Sequence, residues 1–323
     1  MEFNKSTRFL VTGGAGFIGS NITKYLLDKG YSVRVLDNFM TGKKSNIKEF
    51  FKNPKFELIE GDICDIDTCL KSCDGIDYVF QEAALGSVSR SIEDPLLSNK
   101  INILGFLNML HAAYLKKVKR FIHASSSSVY GDSPELPKVE GKEGNILSPY
   151  GITKKTDELY GNLYTKLFKL PTIGLRYFNV YGPKQDPKSV YAAVIPLFIN
   201  DVIDDKQVYI NGDGNNSRDF TYVDDVVEAN IKACLCDEKY CGDVYNIGHA
   251  GKTTINDLYN KICSILSKKP NAIYRQERPG DVKHSNASID KAEKILGYKT
   301  HIDIDEGLRR TIEFYINNKN SDI

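Results

Sequence analysis

The chain has 323 residues, 41% hydrophobic and 26% charged, with 43 basic and 42 acidic side chains and a net charge of +1. This suits one large α/β domain with a smaller lobe. The near-neutral balance argues against nucleic acid as a partner, and no apolar run reaches the ~18 residues of a membrane helix.

The chain opens with an apolar strand, Phe9-Leu10-Val11, followed by Thr12-Gly13-Gly14-Ala15-Gly16-Phe17-Ile18-Gly19. An amphipathic segment then runs to Lys29. Strand, glycine turn and helix is the order a dinucleotide site needs. Glycine permits the tight turn, the close approach of a pyrophosphate and the packing of helix on strand. Free N–H groups at the helix start then face the phosphates. A second strand, Ser32–Leu36, ends in Asp37, 18 residues past Gly19. That is close to the ~20-residue spacing of a ribose-binding acid.

Further short strands are expected at Phe56–Ile59, Tyr78–Gln81, Arg120–His123 and Thr172–Arg176, with helices between them. Such alternation predicts a Rossmann-type, doubly wound parallel sheet. Ligands in that fold sit at the carboxyl ends of the strands. Those ends carry Gly61-Asp62-Ile63, Gln81-Glu82-Ala83-Ala84 and Ala124 to Ser128.

After Arg176 the pattern becomes less regular. A helix is expected around Ala192–Asp201, a short strand at Gln207–Ile210 and a helix start at Thr221–Asp225. A strand at Val244–Ile247 follows. Three further helices are expected near Ile255–Leu266, Ile289–Leu296 and Ile304–Ile316. Residues 1–176 read as a nucleotide-binding domain and 177–323 mainly as a smaller α/β substrate lobe. The boundary is not clean, because the chain can cross back between lobes.

The seven cysteines are spaced irregularly, without a Cys-x-x-Cys pair. Free thiols in a reducing cytosol, and no zinc site, are the expectation. Met1–Lys5 lacks the apolar core of a signal peptide, and a cytoplasmic location is expected.

The stretch Ser148-Pro149-Tyr150-Gly151-Ile152-Thr153-Lys154 carries the chemistry. Pro149 suits the first turn of a helix reaching about Lys169. Tyr150 and Lys154 then share one face as i and i+4. A phenol is a poor base at neutral pH, its ordinary pKa being about 10, and a nearby ammonium favours the phenolate. Ser126, 24 residues earlier, lies at a strand end.

These motifs together resemble the extended short-chain dehydrogenase/reductase family. The stretches Leu175 to Pro183 and Arg218-Asp219-Phe220-x-Tyr222-Val223-Asp224-Asp225 are similar to its nucleotide-sugar branch. Gly86 to Pro95, Tyr209 to Gly214 and Gly280 to Ser285 most resemble UDP-N-acetylglucosamine 4-epimerases.

The resemblance implies NAD as cofactor. Gly13, Gly16, Phe17, Ile18 and Gly19 would bind its pyrophosphate. Asp37 and Asn38 would hold the adenosine ribose, with Asp62 and Ile63 beside the adenine. Ala83, Ala84 and Tyr177 would line the cofactor channel. Tyr150 would move the proton at the sugar 4-hydroxyl, helped by Ser126. Lys154 would tune Tyr150 and grip the nicotinamide ribose.

On the substrate side it implies Asn179, Arg218 and Arg278 near the pyrophosphate or sugar, and Val194 and Tyr209 near the uracil. Ser87, Ser127 and Ser285 would surround the sugar, and Asp281 would also bind the substrate. His284 is either a ligand contact or a polar loop residue.

The implied reaction is C4 epimerisation of UDP-N-acetylhexosamines, with weaker action on UDP-glucose and UDP-galactose. UDP-glucuronate epimerisation or decarboxylation is the alternative, and a non-enzymatic NAD-binding regulator the alternative of another class. The Asp-Glu pair that a dehydratase carries after its catalytic threonine is absent, because Ser127 and Ser128 follow Ser126. A homodimer through the helices around Ile101–Lys116 and Tyr150–Lys169 is also implied.

Overall fold

The structure is a computed structural model that describes residues 3–189, 191–277 and 283–318. Its centre is a seven-stranded parallel sheet. The strands are β1 (Arg8–Thr12), β2 (Ser32–Asp37), β3 (Phe56–Glu60), β4 (Tyr78–Gln81), β5 (Arg120–Ser126), β6 (Thr172–Tyr177) and β7 (Asp243–Ile247). They lie in the order β7-β6-β5-β4-β1-β2-β3. The order reverses between β1 and β4, which opens a crevice at their carboxyl ends. β7 comes from the C-terminal half, so the chain does cross back into the sheet.

Helices cover both faces, as a parallel sheet of apolar strands requires. One face carries α1 (Phe17–Asp28), which packs with β1, β2 and the later helix α8 (Val223–Leu235) in one core. The other carries α2 (Ile66–Cys73) and, after short helices α3 (Val88–Glu93) and α4 (Pro95–Asn99), α5 (Phe106–Leu115). A π-helical turn, Lys100–Gly105, joins α4 to α5.

The helix α6 (Pro149–Phe168) completes that face. Ser148 caps it, its Oγ accepting the Gly151 N–H at 3.0 Å. Pro149 occupies the first turn, where no N–H is needed. The helix ends where Lys169 turns left-handed at φ 57°.

A second core lies beyond the sheet's edge. The helices α7 (Val194–Ile203), α9 (Ile255–Ile265) and α11 (Ile304–Asn317) surround Val208, Ile210, Tyr181 and Tyr222 there. α8 and α10 (Asp290–Leu296) pack on the sheet's first face, in the core that α1 shares. The expected strand at Gln207–Ile210 sits two residues later, at Tyr209–Asn211, paired with Ile273–Arg275. Pairing sets its position, because so short a strand has no periodicity of its own. No described helix is long and apolar enough to cross a membrane.

Candidate active site

A single cleft follows the strand ends from β3 to β6. Gly13, Gly16, Phe17, Ile18, Gly19, Asp37, Asn38, Asp62, Ile63, Ala83, Ala84, Tyr150, Lys154 and Tyr177 all line it. Ser126 and Asn179 line it as well. The glycine turn is built for close backbone approach. Gly13 has φ +63°, and a Cβ there would lie 2.8 Å from the Ala83 nitrogen. A Cβ on Gly19 would lie 2.3 Å from the Gly13 oxygen. The backbone at both points is therefore bare by necessity, and the N-terminus of α1 opens on the cleft.

Asp37 ends β2 almost buried. Its Oδ2 accepts the Ala15 N–H at 2.9 Å and its Oδ1 the Phe39 N–H at 2.8 Å. Burial pushes its pKa up, and those two N–H donors oppose the rise. Asn38 donates to Asp62 Oδ2 at 3.1 Å, which ties the ends of β2 and β3 together. The cleft thus has a hydroxyl-accepting acid at one end and a peptide-lined turn in the middle. These features fit the adenosine ribose and pyrophosphate of a dinucleotide.

The other end holds Ser126, Tyr150 and Lys154. Ser126 ends β5, and its Oγ accepts the Ser128 N–H at 3.1 Å. Its O–H is left able to donate into the cleft. The Tyr150 N–H donates to Ser91 Oγ at 3.0 Å, which anchors the start of α6 to α3. Lys154 is buried and donates to the Ala124 carbonyl at 2.9 Å.

The base of α6 is locked by a buried, bidentate ion pair. Arg176 Nε and Nη2 donate to Glu158 Oε1 and Oε2 at 2.7 and 2.9 Å. Ser125 donates to the same carboxylate at 2.6 Å. Burial alone would raise the Glu158 pKa, but Arg176 holds it below the ordinary value. This fork joins α6, β5 and β6, and so fixes Tyr150 and Lys154 against Ser126.

Beyond Asn179 the cleft meets a small sheet. Asn179, at φ 33°, donates to the Asp219 carbonyl at 2.9 Å. Ser217–Arg218 pairs with Thr253–Thr254 on one side and with His284–Ser285 on the other. The sheet places Ser285 beside Arg218. His284 Nδ1 lies 2.8 Å from Ser217 Oγ, so the imidazole is engaged within this sheet.

Several expected substrate residues do not line the cleft, Arg218 and Ser285 of the small sheet among them. Ser87 caps α3, its Oγ accepting the Arg90 N–H at 3.3 Å, next to the cleft residue Gly86. Ser127 begins the short turn after β5. Val194 opens α7 and packs on the second core. One face of the Tyr209 ring is covered by the Arg275 guanidinium at 3.2 Å. Arg278 and Asp281 lie outside the described residues.

Three acids here have no role assigned from the sequence, although Asp219 lies inside the Arg218-Asp219-Phe220 motif. Glu82, just past β4, lines the cleft and accepts from the Tyr177 hydroxyl at 2.9 Å. Burial pushes it up to about 7, against the opposing pull of Tyr177 and Lys154. Asp157 sits one turn after Lys154. Asp219 is fully buried and accepts three backbone N–H groups, from His249, Gly251 and Ala287. It stitches together the segments that carry Arg218 and Ser285. Position at a strand end is the sequence signal for Glu82 and the Arg218-Asp219-Phe220 motif that for Asp219, while Asp157 has none.

The comparisons with known proteins agree with this geometry. A profile of the NAD dependent epimerase/dehydratase family matches residues 9–248. The chain belongs to that family. It is 40% identical over 311 residues to a putative UDP-glucose 4-epimerase of Methanocaldococcus jannaschii, covering 96% of this chain and 98% of that one.

Among solved structures it matches a UDP-N-acetylglucosamine 4-epimerase from Methanobrevibacter ruminantium in complex with UDP-N-acetylmuramic acid. The TM-score is 0.93 at 38% identity, over 98% of this chain and all of that one (100%). It also matches a UDP-glucuronic acid 4-epimerase from Bacillus cereus bound to UDP-glucuronic acid and NAD. There the TM-score is 0.90 at 34% identity, over 96% and 99% of the two chains. The cofactor of the family, and of this chain, is NAD.

Proposed function

We propose that the protein is an NAD-dependent UDP-sugar 4-epimerase whose substrates are UDP-N-acetylglucosamine and UDP-N-acetylgalactosamine. The observation that carries the reading is the cleft itself, which holds Ser126, Tyr150 and Lys154 together with the glycine turn. A non-enzymatic NAD-binding regulator has no use for that triad.

NAD, held by the glycine turn Gly13–Gly19 and by Asp37, would supply reversible hydride transfer at the sugar C4. The chain supplies the rest. Tyr150 removes the 4-hydroxyl proton and later gives it back at the same oxygen. One acid/base group therefore serves both halves of the reaction. Ser126 donates a hydrogen bond to that oxygen. The Lys154 ammonium favours the phenolate and reaches toward the nicotinamide ribose. Arg218, whose Nη1 donates to the Ser217 carbonyl at 3.0 Å, would bring its guanidinium charge to the UDP pyrophosphate.

The choice of an N-acetylated sugar rests on Ser285, a small residue beside Arg218, and on the likeness to the UDP-N-acetylglucosamine 4-epimerase. The test is incubation with UDP-GlcNAc, UDP-GalNAc, UDP-Glc, UDP-Gal and UDP-glucuronate, followed by separation of products. Fastest conversion within the N-acetylated pair is expected. Turnover of only the plain hexoses or the uronate would overturn the substrate assignment. No turnover of any would overturn the enzyme reading.

A second copy of the chain is the partner this reading includes. Ile152, Leu159, Leu163 and Leu167 stand exposed along one face of α6, with Leu104 and Leu115 exposed on the neighbouring helical segment. Pairing α5 and α6 with the same helices of another copy would cover them.

A further inference from the structure

Lys154 directs only part of its hydrogen-bonding capacity toward the cleft. An ammonium has three N–H donors. One reaches the Ala124 carbonyl at 2.9 Å, and a second reaches Asp157 Oδ2 at 3.3 Å. Lys154 and Asp157 are i and i+3 in α6, and they are 4% and 0% exposed. One donor therefore remains for the ribose and the Tyr150 phenol.

Asp157 is an expensive residue at this place. Its second oxygen, Oδ1, is buried with no hydrogen-bond partner among the described residues. A buried acid with an unpaired oxygen costs stability that an apolar side chain of similar size would not. Packing gives no reason for an acid here, so the reason lies with Lys154.

The other charged groups around Lys154 do not replace it. On α6, Glu158 is committed to Arg176 of β6. On β5, His123 is kept neutral, pushed down to about 3 by burial and then by Lys154 itself. At the end of β4, Glu82 is engaged by Tyr177 of β6. Among these groups Asp157 holds the direct ion pair with the ammonium. Burial pushes Asp157 up to about 7, while Lys154 pulls it back. Burial alone would lower the Lys154 pKa; Asp157 is the largest of the groups that reverse this and raise it.

We propose that Asp157 is a positioning residue for the epimerisation: it pins the Lys154 ammonium and offsets its charge, so that Tyr150 stays basic enough to take the sugar's proton. This rests on the roles given to Tyr150 and Lys154 above. A lone ammonium would hold the phenolate so well that it became a weak base. A reversible reaction needs one group to be both acid and base near the working pH. The pair of charges serves that need better than the cation alone.

The test compares the parent with Asp157→Asn and Asp157→Glu. The first readout is the pH profile of kcat/KM for whichever UDP-sugar the parent converts. The acidic limb of Asp157→Asn should move to lower pH by about one unit, the scale of a nearby charge. Asp157→Glu should return it toward the parent. The second readout is the tyrosinate absorbance titration, taken as the difference from the matching Tyr150→Phe protein. Its midpoint should move the same way.

This titration needs no substrate. Failure of the proposed reaction would therefore leave the Asp157 test standing. If Asp157→Asn does not fold, Asp157→Ser is used, with the same direction expected. Limbs and midpoints that coincide with the parent, with only thermal stability lowered, would reduce Asp157 to a structural residue and overturn the proposal.

Discussion

Ser285 sits directly opposite Arg218 in a parallel pairing, and the Asp219 N–H donates to the Ser285 carbonyl at 2.9 Å. The phosphate-gripping candidate and the sugar-gating candidate are thus held in one register. The Asp219 carboxylate also accepts the Ala287 N–H at 3.0 Å, which fastens the segment of Ser285 to that of Arg218 a second time.

The first prediction follows from that register. In the proposed site a small residue at 285 leaves room for the sugar's C2 acetamide. Ser285→Tyr should abolish conversion of UDP-GlcNAc and UDP-GalNAc by steric exclusion. Conversion of UDP-Glc and UDP-Gal should persist or rise. Product ratios after incubation with each sugar provide the check. Parent-rate conversion of UDP-GlcNAc by the variant would show that the gate lies elsewhere.

Tyr150→Phe removes one oxygen from a helix start that Ser148, Pro149 and Ser91 hold independently. The backbone should therefore stay in place, and NAD and UDP-sugar should still bind. Turnover should fall about 10²- to 10⁴-fold, the usual contribution of a general acid/base. Calorimetric binding alongside rate measurement separates the two effects. A variant that turns over like the parent would remove Tyr150 from the reaction.

Much of this fold is legible in the sequence because the sheet is parallel and buried. Apolar runs such as Phe9–Val11 and Tyr78–Gln81 mark their strands without needing a partner. The start of α6 is equally plain from Ser148 and Pro149. Adjacency across the chain is not. Nothing local in Asp243–Ile247 says that it pairs with β6 instead of a strand of its own half. The two-residue pairings around Arg218 and Ser285 have no periodicity to read. The roles of Glu82, Asp157 and Asp219 are hidden for a different reason. An acid reads as a surface residue until its burial and its partners are known.

His123 lends itself to a pH test. It lies buried on β5, edge-on to Phe106 at 5.1 Å between ring centres, and its Nδ1 has no hydrogen-bond partner among the described residues. Burial first, and Lys154 second, push it from 6.5 down to about 3 in the folded chain. The unfolded chain therefore binds the extra proton first as pH falls. Stability contributed by the neutral imidazole is fully present above about 6.5 and is lost as pH drops toward about 3. The slope approaches about 1.4 kcal/mol per pH unit within that window. His123→Asn should lower the absolute melting temperature and flatten its decline between pH 6.5 and 4, a span taken from that same window of about 6.5 to about 3. A variant whose melting temperature falls with pH as steeply as the parent's would rule out His123 as the source.

The exposed stripe on α6 supplies the last prediction. Ile152, Leu159, Leu163 and Leu167 recur at spacings of three and four residues or their sums, so they share one face of the helix. Leu159 and Leu167 are 62% and 65% exposed, high for leucines in a continuous row. Burying an exposed leucine contributes about 1.5–3 kcal/mol, so a few per copy suffice to favour pairing. A charge in the middle of the row should cost more than it gains. Leu159→Glu together with Leu163→Glu should convert a dimer to a monomer in light scattering coupled to size exclusion. The sheet and the NAD cleft lie on the inner side of α6, so the fold should persist by circular dichroism. Parent protein that elutes as a monomer at micromolar concentration, or a double variant that remains a dimer, would show that this face does not pair.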